Sequence, residues 1–76
     1  MGVTFVTETF IFRGSSNLAQ ASYDPETQEL IIAFQSGDEY SYSNVPVETY
    51  RGLTHASSAG AYFHRQIKGR YADEPV

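Results

Sequence analysis

Glu29-Leu30-Ile31-Ile32-Ala33-Phe34-Gln35-Ser36-Gly37-Asp38-Glu39-Tyr40-Ser41-Tyr42-Ser43 decides the fold. Successive side chains of a strand point to opposite faces, so Leu30, Ile32 and Phe34 share one face. Gln35-Ser36-Gly37-Asp38 has the composition of a turn, and the chain returns over Glu39–Ser43 with Tyr40 and Tyr42 on one face. Upstream, Leu18–Tyr23 reads as a further strand, with Ala19, Ala21 and Tyr23 together. Asp24-Pro25-Glu26-Thr27 joins it to the next, because Pro25 presets φ and Asp24 can accept from amides two residues on. Three consecutive strands with short turns form an antiparallel meander.

Outward from this hairpin the period changes. Val45-Pro46 opens a helix, in whose first turn a missing N–H costs nothing, and Glu48 complements the helix dipole. Val47, Tyr50 and Leu53 or Thr54 follow helical spacing until a break at about His55–Ser57. Ser57 or Ser58 then caps a second helix. It carries Phe63 and Ile67 on one face, and Gly69 ends it in a left-handed conformation. Helices packed across one apolar sheet face give an α+β class, a three- to four-stranded antiparallel meander against two short C-terminal helices. The expected core is Tyr23, Leu30, Ile32, Phe34, Tyr42, Tyr50, Leu53, Phe63 and Ile67. Residues 3–12, rich in Val, Thr, Phe and Ile, suit an additional N-terminal strand. Phe10-Ile11-Phe12 puts apolar groups on both of its faces, so either both are covered or one meets a partner.

Seventy-six residues make one domain. The absence of cysteine removes disulfide scaffolds, thiolate zinc sites and thiol nucleophiles together, and it fits a reducing cytoplasm. No apolar run is long enough to span a bilayer, and the N-terminus lacks a signal-peptide pattern, so the expectation is a soluble, unprocessed, cytoplasmic chain without a membrane partner.

The ordered set Ser15-Ser16-Asn17, Tyr23-Asp24, Leu30 through Phe34, Gly37, Tyr40-Ser41-Tyr42, Val45-Pro46, Tyr50, Leu53, Ser58, Gly60, Phe63, Ile67 and Tyr71 resembles the KTSC domain. That family is named for its occurrence at the C-terminus of some lysyl-tRNA synthetases and also occurs as small stand-alone bacterial and phage proteins. The resemblance covers about three-quarters of the chain. It places a KTSC-like domain over residues 15–71 and leaves an N-terminal strand, residues 1–14, outside the pattern; residues 72–76 read as a disordered tail, because chain ends fray. It also suggests binding to RNA, either tRNA or a single strand.

The net charge of −4 disfavours nonspecific nucleic-acid binding, but the charge is unevenly spread. Residues 1–43 carry Arg13 against six acids, whereas residues 44–71 carry Arg51, Arg65, Lys68 and Arg70 against Glu48 alone. His64, Arg65 and Lys68 fall opposite Phe63 and Ile67 on the second helix, with Arg70 at its end. These cations, with Arg51, can neutralise phosphates, and Tyr40, Tyr42 or Tyr62 can stack on unpaired bases. The structural alternatives are a solvated helix face for the cations and ring packing at a core edge for the tyrosines. A protein partner is the second reading, an adaptor or phage-encoded regulator of host machinery engaging Phe10 and Phe12 on the N-terminal strand.

Catalysis finds little support in the sequence. Ser15-Ser16-Asn17 beside Gly14 reads as a turn that satisfies backbone groups, and no nucleophile-elbow pattern surrounds either serine. His55 and His64 lie nine apart, and no further ligand completes a metal set. Asp38-Glu39 and Asp73-Glu74 read as solubilising charge. The expectation is a module that is not an enzyme and uses neither cofactor nor metal.

Overall fold

The computed structural model describes residues 7–76. Within them the chain runs β1 (Glu8–Ile11), β2 (Leu18–Asp24), β3 (Glu29–Phe34), β4 (Glu39–Tyr42), α1 (Val47–His55), α2 (Ala59–Gln66) and β5 (Asp73–Pro75). The strands form one antiparallel sheet in the order β1-β2-β3-β4-β5, so the class is α+β. The strand predicted over residues 3–12 is seen as Glu8–Ile11, and its first positions lie outside the described residues.

The meander is five-stranded among the described residues, not three- to four-stranded. The expectation of a disordered tail over residues 72–76 is overturned. Asp73, Glu74 and Pro75 pair with Tyr42, Ser41 and Tyr40. Ser43 N–H donates to the Ala72 carbonyl at 2.9 Å and Val76 N–H to the Glu39 carbonyl at 3.0 Å. Asp and Pro are poor strand formers, so no local signal marks this element. The outer edge of β4 supplies the backbone partners, and Pro75 fits an edge strand, where a missing donor is tolerated.

Eight of the nine expected core residues are buried, and Phe34 is half-buried against them. Phe12, Leu18, Ala21 and Val45 join the core. Leu18 takes the place expected of Ala19 because the β2–β3 register shifts between Leu18 and Gln20. A one-residue bulge exchanges the faces of a strand on one side of it. Phe12 N–H donates to the Ala19 carbonyl at 3.0 Å, and Phe10 pairs with Ala21. The Phe12 ring joins the core and meets the Phe10 ring edge to face, centroids 5.1 Å apart.

The sheet and helix layers are joined at Val45. Asn44 turns the chain with φ of 59°, a left-handed conformation that Asn tolerates better than most residues. Val45 N–H then donates to the Gln28 carbonyl at 2.9 Å. The Val45 carbonyl accepts the buried Tyr23 hydroxyl at 2.6 Å. Tyr23 in turn stacks on Tyr50 of α1, centroids 4.6 Å apart and planes 10° apart. Pro46 occupies the cap of α1, and its carbonyl accepts from Thr49 and Tyr50. Ser58, one of the two expected serines, caps α2 by accepting from Ala61 N–H at 3.3 Å. Gly69, with φ of 78°, lies just past the end of α2.

Replacing Tyr23 by Phe removes the donor and leaves a buried carbonyl unpaired. The expected loss is about 1–3 kcal/mol in urea denaturation, with little change in the slope of the transition.

Burial raises Tyr23, Tyr42 and Tyr50 above the ordinary phenol value, with Glu48 adding at Tyr23, Asp73 at Tyr42 and Glu8 at Tyr50. Tyr42 is pushed up to about 12. The folded chain holds these protons when the unfolded chain releases them near the ordinary phenol value of 10.0. Stability from these groups is therefore intact below that value and falls as the pH climbs toward about 12. Circular dichroism followed across that window should show unfolding accompanied by late tyrosinate absorbance.

Candidate nucleic-acid interface

The open face of the sheet follows from the register. Gln20, Ser22 and Asp24 of β2 lie beside Glu29, Ile31 and Ala33 of β3, then Glu39 and Ser41 of β4, then Glu74 of β5. Glu29 accepts the Ser41 hydroxyl at 2.6 Å. Asp24, Glu29, Glu39 and Glu74 thus give this face a negative character that repels phosphates.

His64, Arg65, Lys68 and Arg70 are all exposed at the C-terminal part of α2 and the turn after it. Phe63 and Ile67 are buried on the other side, as helical spacing requires. The basic end of α2 also complements its dipole. Arg70 is partly committed, since its Nε donates to the Arg65 carbonyl at 2.7 Å and closes the helix. Arg51 is exposed on α1, and its carbonyl accepts from Thr54 Oγ1 at 3.1 Å and His55 Nδ1 at 2.8 Å. His55 is thereby an N–H donor at the end of that helix.

The tyrosines divide. Tyr62 is half-buried, its hydroxyl donates to the Thr49 carbonyl at 3.0 Å, and its ring lies where a Cβ at position 52 would stand. It clamps α2 onto Gly52 of α1 and is not an open stacking group, which corrects the expectation from its sequence position. Tyr40 is half-buried at the rim of the core, edge to face with Phe34 at 6.2 Å. Tyr40, His64 and Lys68 line one groove of about 440 Å³ with Asn17, Phe34, Tyr42, Phe63 and Asp73. Four of the expected residues, Tyr40, Tyr42, His64 and Lys68, therefore converge, while Arg51, Tyr62, Arg65 and Arg70 do not line the groove. Asn17 and Asp73 were missed as site residues: Asn17 has a turn signature, and Asp73 arrives only through β5 pairing.

A second cleft, about 640 Å³, separates Phe10 through Asn17 from the junction of α1 and α2. Ser15 Oγ accepts from Asn17 N–H at 3.2 Å and Leu18 N–H at 2.9 Å, and Gln35 Nε2 reaches the Leu18 carbonyl at 3.2 Å. Ser15 thus organises the approach to β2. Phe12 belongs to the core, and burial leaves its ring no surface for the partner contact expected of it. Phe10 is 36% and Ile11 50% exposed. No group of three or more metal-ligating side chains occurs among the described residues, and no helix is long and apolar enough to cross a membrane.

The family model of the KTSC domain matches residues 14–71. A lysine--tRNA ligase of a Nostoc species is 44% identical over 54 residues, 71% of this chain and 10% of the ligase. An uncharacterized protein of Stutzerimonas stutzeri is 40% identical over 57 residues, 75% of this chain and 80% of that protein. The crystal structure of a KTSC domain protein from Yersinia pestis superposes with a TM-score of 0.87 at 27% identity, covering 93% of this chain and 99% of that one. The chain spans about a tenth of the length of the lysine--tRNA ligases it matches.

Gly52→Ala tests the helix clamp. The added methyl overlaps the end of the Tyr62 side chain and displaces its hydroxyl from the Thr49 carbonyl, which offsets the about 0.5–1 kcal/mol that Ala gains over Gly inside a helix. The expected outcome is a urea midpoint no higher than that of the wild type, with the Tyr62 signals shifted in NMR. Gly14→Ala, where a Cβ meets nothing, is the control with little change.

Proposed function

The chain belongs to the KTSC domain family, and from that membership and the surface of α2 we propose that it is a non-catalytic module that binds RNA, either tRNA or a single strand. The observation that carries this reading is the exposed cluster His64, Arg65, Lys68 and Arg70 on a protein of net charge −4. It is set beside an aromatic groove and away from the acidic sheet face. A module of this kind inside a lysine--tRNA ligase would add phosphate contacts to those of the catalytic body, and a stand-alone chain would bind weakly by itself. Its place of action is the cytoplasm, where tRNA is charged, and it needs neither cofactor nor metal.

Phosphate contacts release counterions. Three cations on a single strand give a slope of about −2 in log affinity against log salt, from about −0.7 for each contact. Arg65→Glu/Lys68→Glu should flatten that slope and weaken binding at least about tenfold at low salt. The measurement is an amide-resolved NMR titration with transfer RNA and a short single-stranded RNA at two salt concentrations. Wild-type shifts confined to residues 61–70 and fading with salt support the reading; silence at both salts sinks it.

A protein partner at the N-terminal strand is the second reading, favoured by the exposure of Phe10 and Ile11. It predicts binding that survives the α2 charge reversal and fails in Phe10→Ser/Ile11→Ser.

A further inference from the structure

Phosphate contact requires cations alone, yet the groove beside α2 is walled by four aromatic rings. Phe63 meets Phe34 and Tyr42 edge to face, with centroids 5.5 and 5.6 Å apart, and Tyr40 meets Phe34 at 6.2 Å. Rings held by one another lose little freedom when a ligand arrives. The groove, about 440 Å³, lies within the range of small-ligand sites, about 300–1,000 Å³.

Its polar groups differ in kind and come from separate elements. Asn17 comes from the loop before β2, Lys68 from the turn after α2, and Asp73 from β5, opposite Tyr42. Burial, then Asp73, pushes the Tyr42 phenol up to about 12, so its hydroxyl keeps its proton beside the Asp73 carboxylate. A carboxylate only accepts, an ammonium only donates, and an amide does both. An aromatic wall flanked by an acceptor and a cation complements a nucleotide: its base stacks, its donor edge meets the carboxylate, and its phosphate meets the cation.

On the RNA reading of α2, we propose that this groove takes one unpaired nucleobase, guanine in preference to uracil, with its ring against Tyr40, its donor edge on Asp73 and its phosphate on Lys68. Guanine presents two adjacent N–H donors that match the two oxygens of a carboxylate. Uracil presents one N–H between two carbonyl oxygens, which the carboxylate repels. A base held in a duplex cannot turn this edge outward, so the site selects single-stranded or looped RNA.

The test titrates labelled full chain with guanosine 5′-monophosphate and with uridine 5′-monophosphate. The expected result is shifts at Asn17, Tyr40, His64, Lys68 and Asp73, with guanosine at least about fivefold tighter, the lower end for one bidentate pair. Asp73→Asn should abolish the preference, and Tyr40→Ala should weaken guanosine at least about fivefold. The wild-type comparison needs no variant and stands even if Asp73→Asn loosens β5. Equal binding of the two nucleotides, or shifts outside the groove, overturns the proposal. Transfer RNA that shifts α2 in a salt-dependent way while both nucleotides leave the groove unmoved overturns the base site and leaves the RNA reading standing. Guanosine filling the groove while transfer RNA fails to bind α2 does the reverse.

Discussion

The Val45 peptide is held from both sides, and the two layers of the domain depend on it. Its N–H reaches the Gln28 carbonyl in the β2–β3 hairpin, and its carbonyl takes the Tyr23 hydroxyl from β2. Its side chain is fully buried. A peptide at a strand-to-helix crossing belongs to neither ladder, so its polar groups need partners of their own. Here the partners come from the preceding hairpin. They set the point at which the chain leaves the sheet, and the Tyr23–Tyr50 stack sets the way α1 lies on it. In a domain this small, burying only about 60% of the surface its chain can expose, one such junction is a large share of what holds the layers in register.

From this junction the charge separates by face. The strands alternate, so the side away from the helices collects Asp24, Glu29, Glu39 and Glu74. The helices present their basic residues on the outside, chiefly toward the end of α2. Net charge averages these two surfaces and conceals both. A surface charge divided in this way is attractive to anions on one side and repulsive on the other.

The groove beside α2 is assembled from five segments. Asn17, Phe34, Tyr40, Tyr42, Phe63, His64, Lys68 and Asp73 come from a loop, two interior strands, a helix with the turn that follows it, and the edge strand. The same rings that complete the core at Phe63 and Tyr42 form the groove's wall at Phe34 and Tyr40. Its shape is therefore tied to the packing of α2. The Tyr62 clamp over Gly52 reaches the groove through that helix, although Tyr62 does not line it.

Local pattern determined the meander, the two helices and most of the core, because period 2 at Leu30, Ile32 and Phe34 and helical spacing at Phe63 and Ile67 are imposed by burying one face. It also determined the Asp24 turn, where Asp24 Oδ1 accepts from Glu26 N–H at 2.9 Å, and the cap at Ser58, because such bonds form between near neighbours in the chain. Tertiary structure alone decided that Leu18 displaces Ala19 at the β2 bulge, that Phe12 is buried in the core, and that Tyr62 closes a helix contact. It alone decided that Asp73 and Pro75 extend the sheet to a fifth strand. Each of these rests on a partner distant in the chain, such as an unpaired strand edge or a missing Cβ. A residue's own neighbours in the chain carry no trace of such partners.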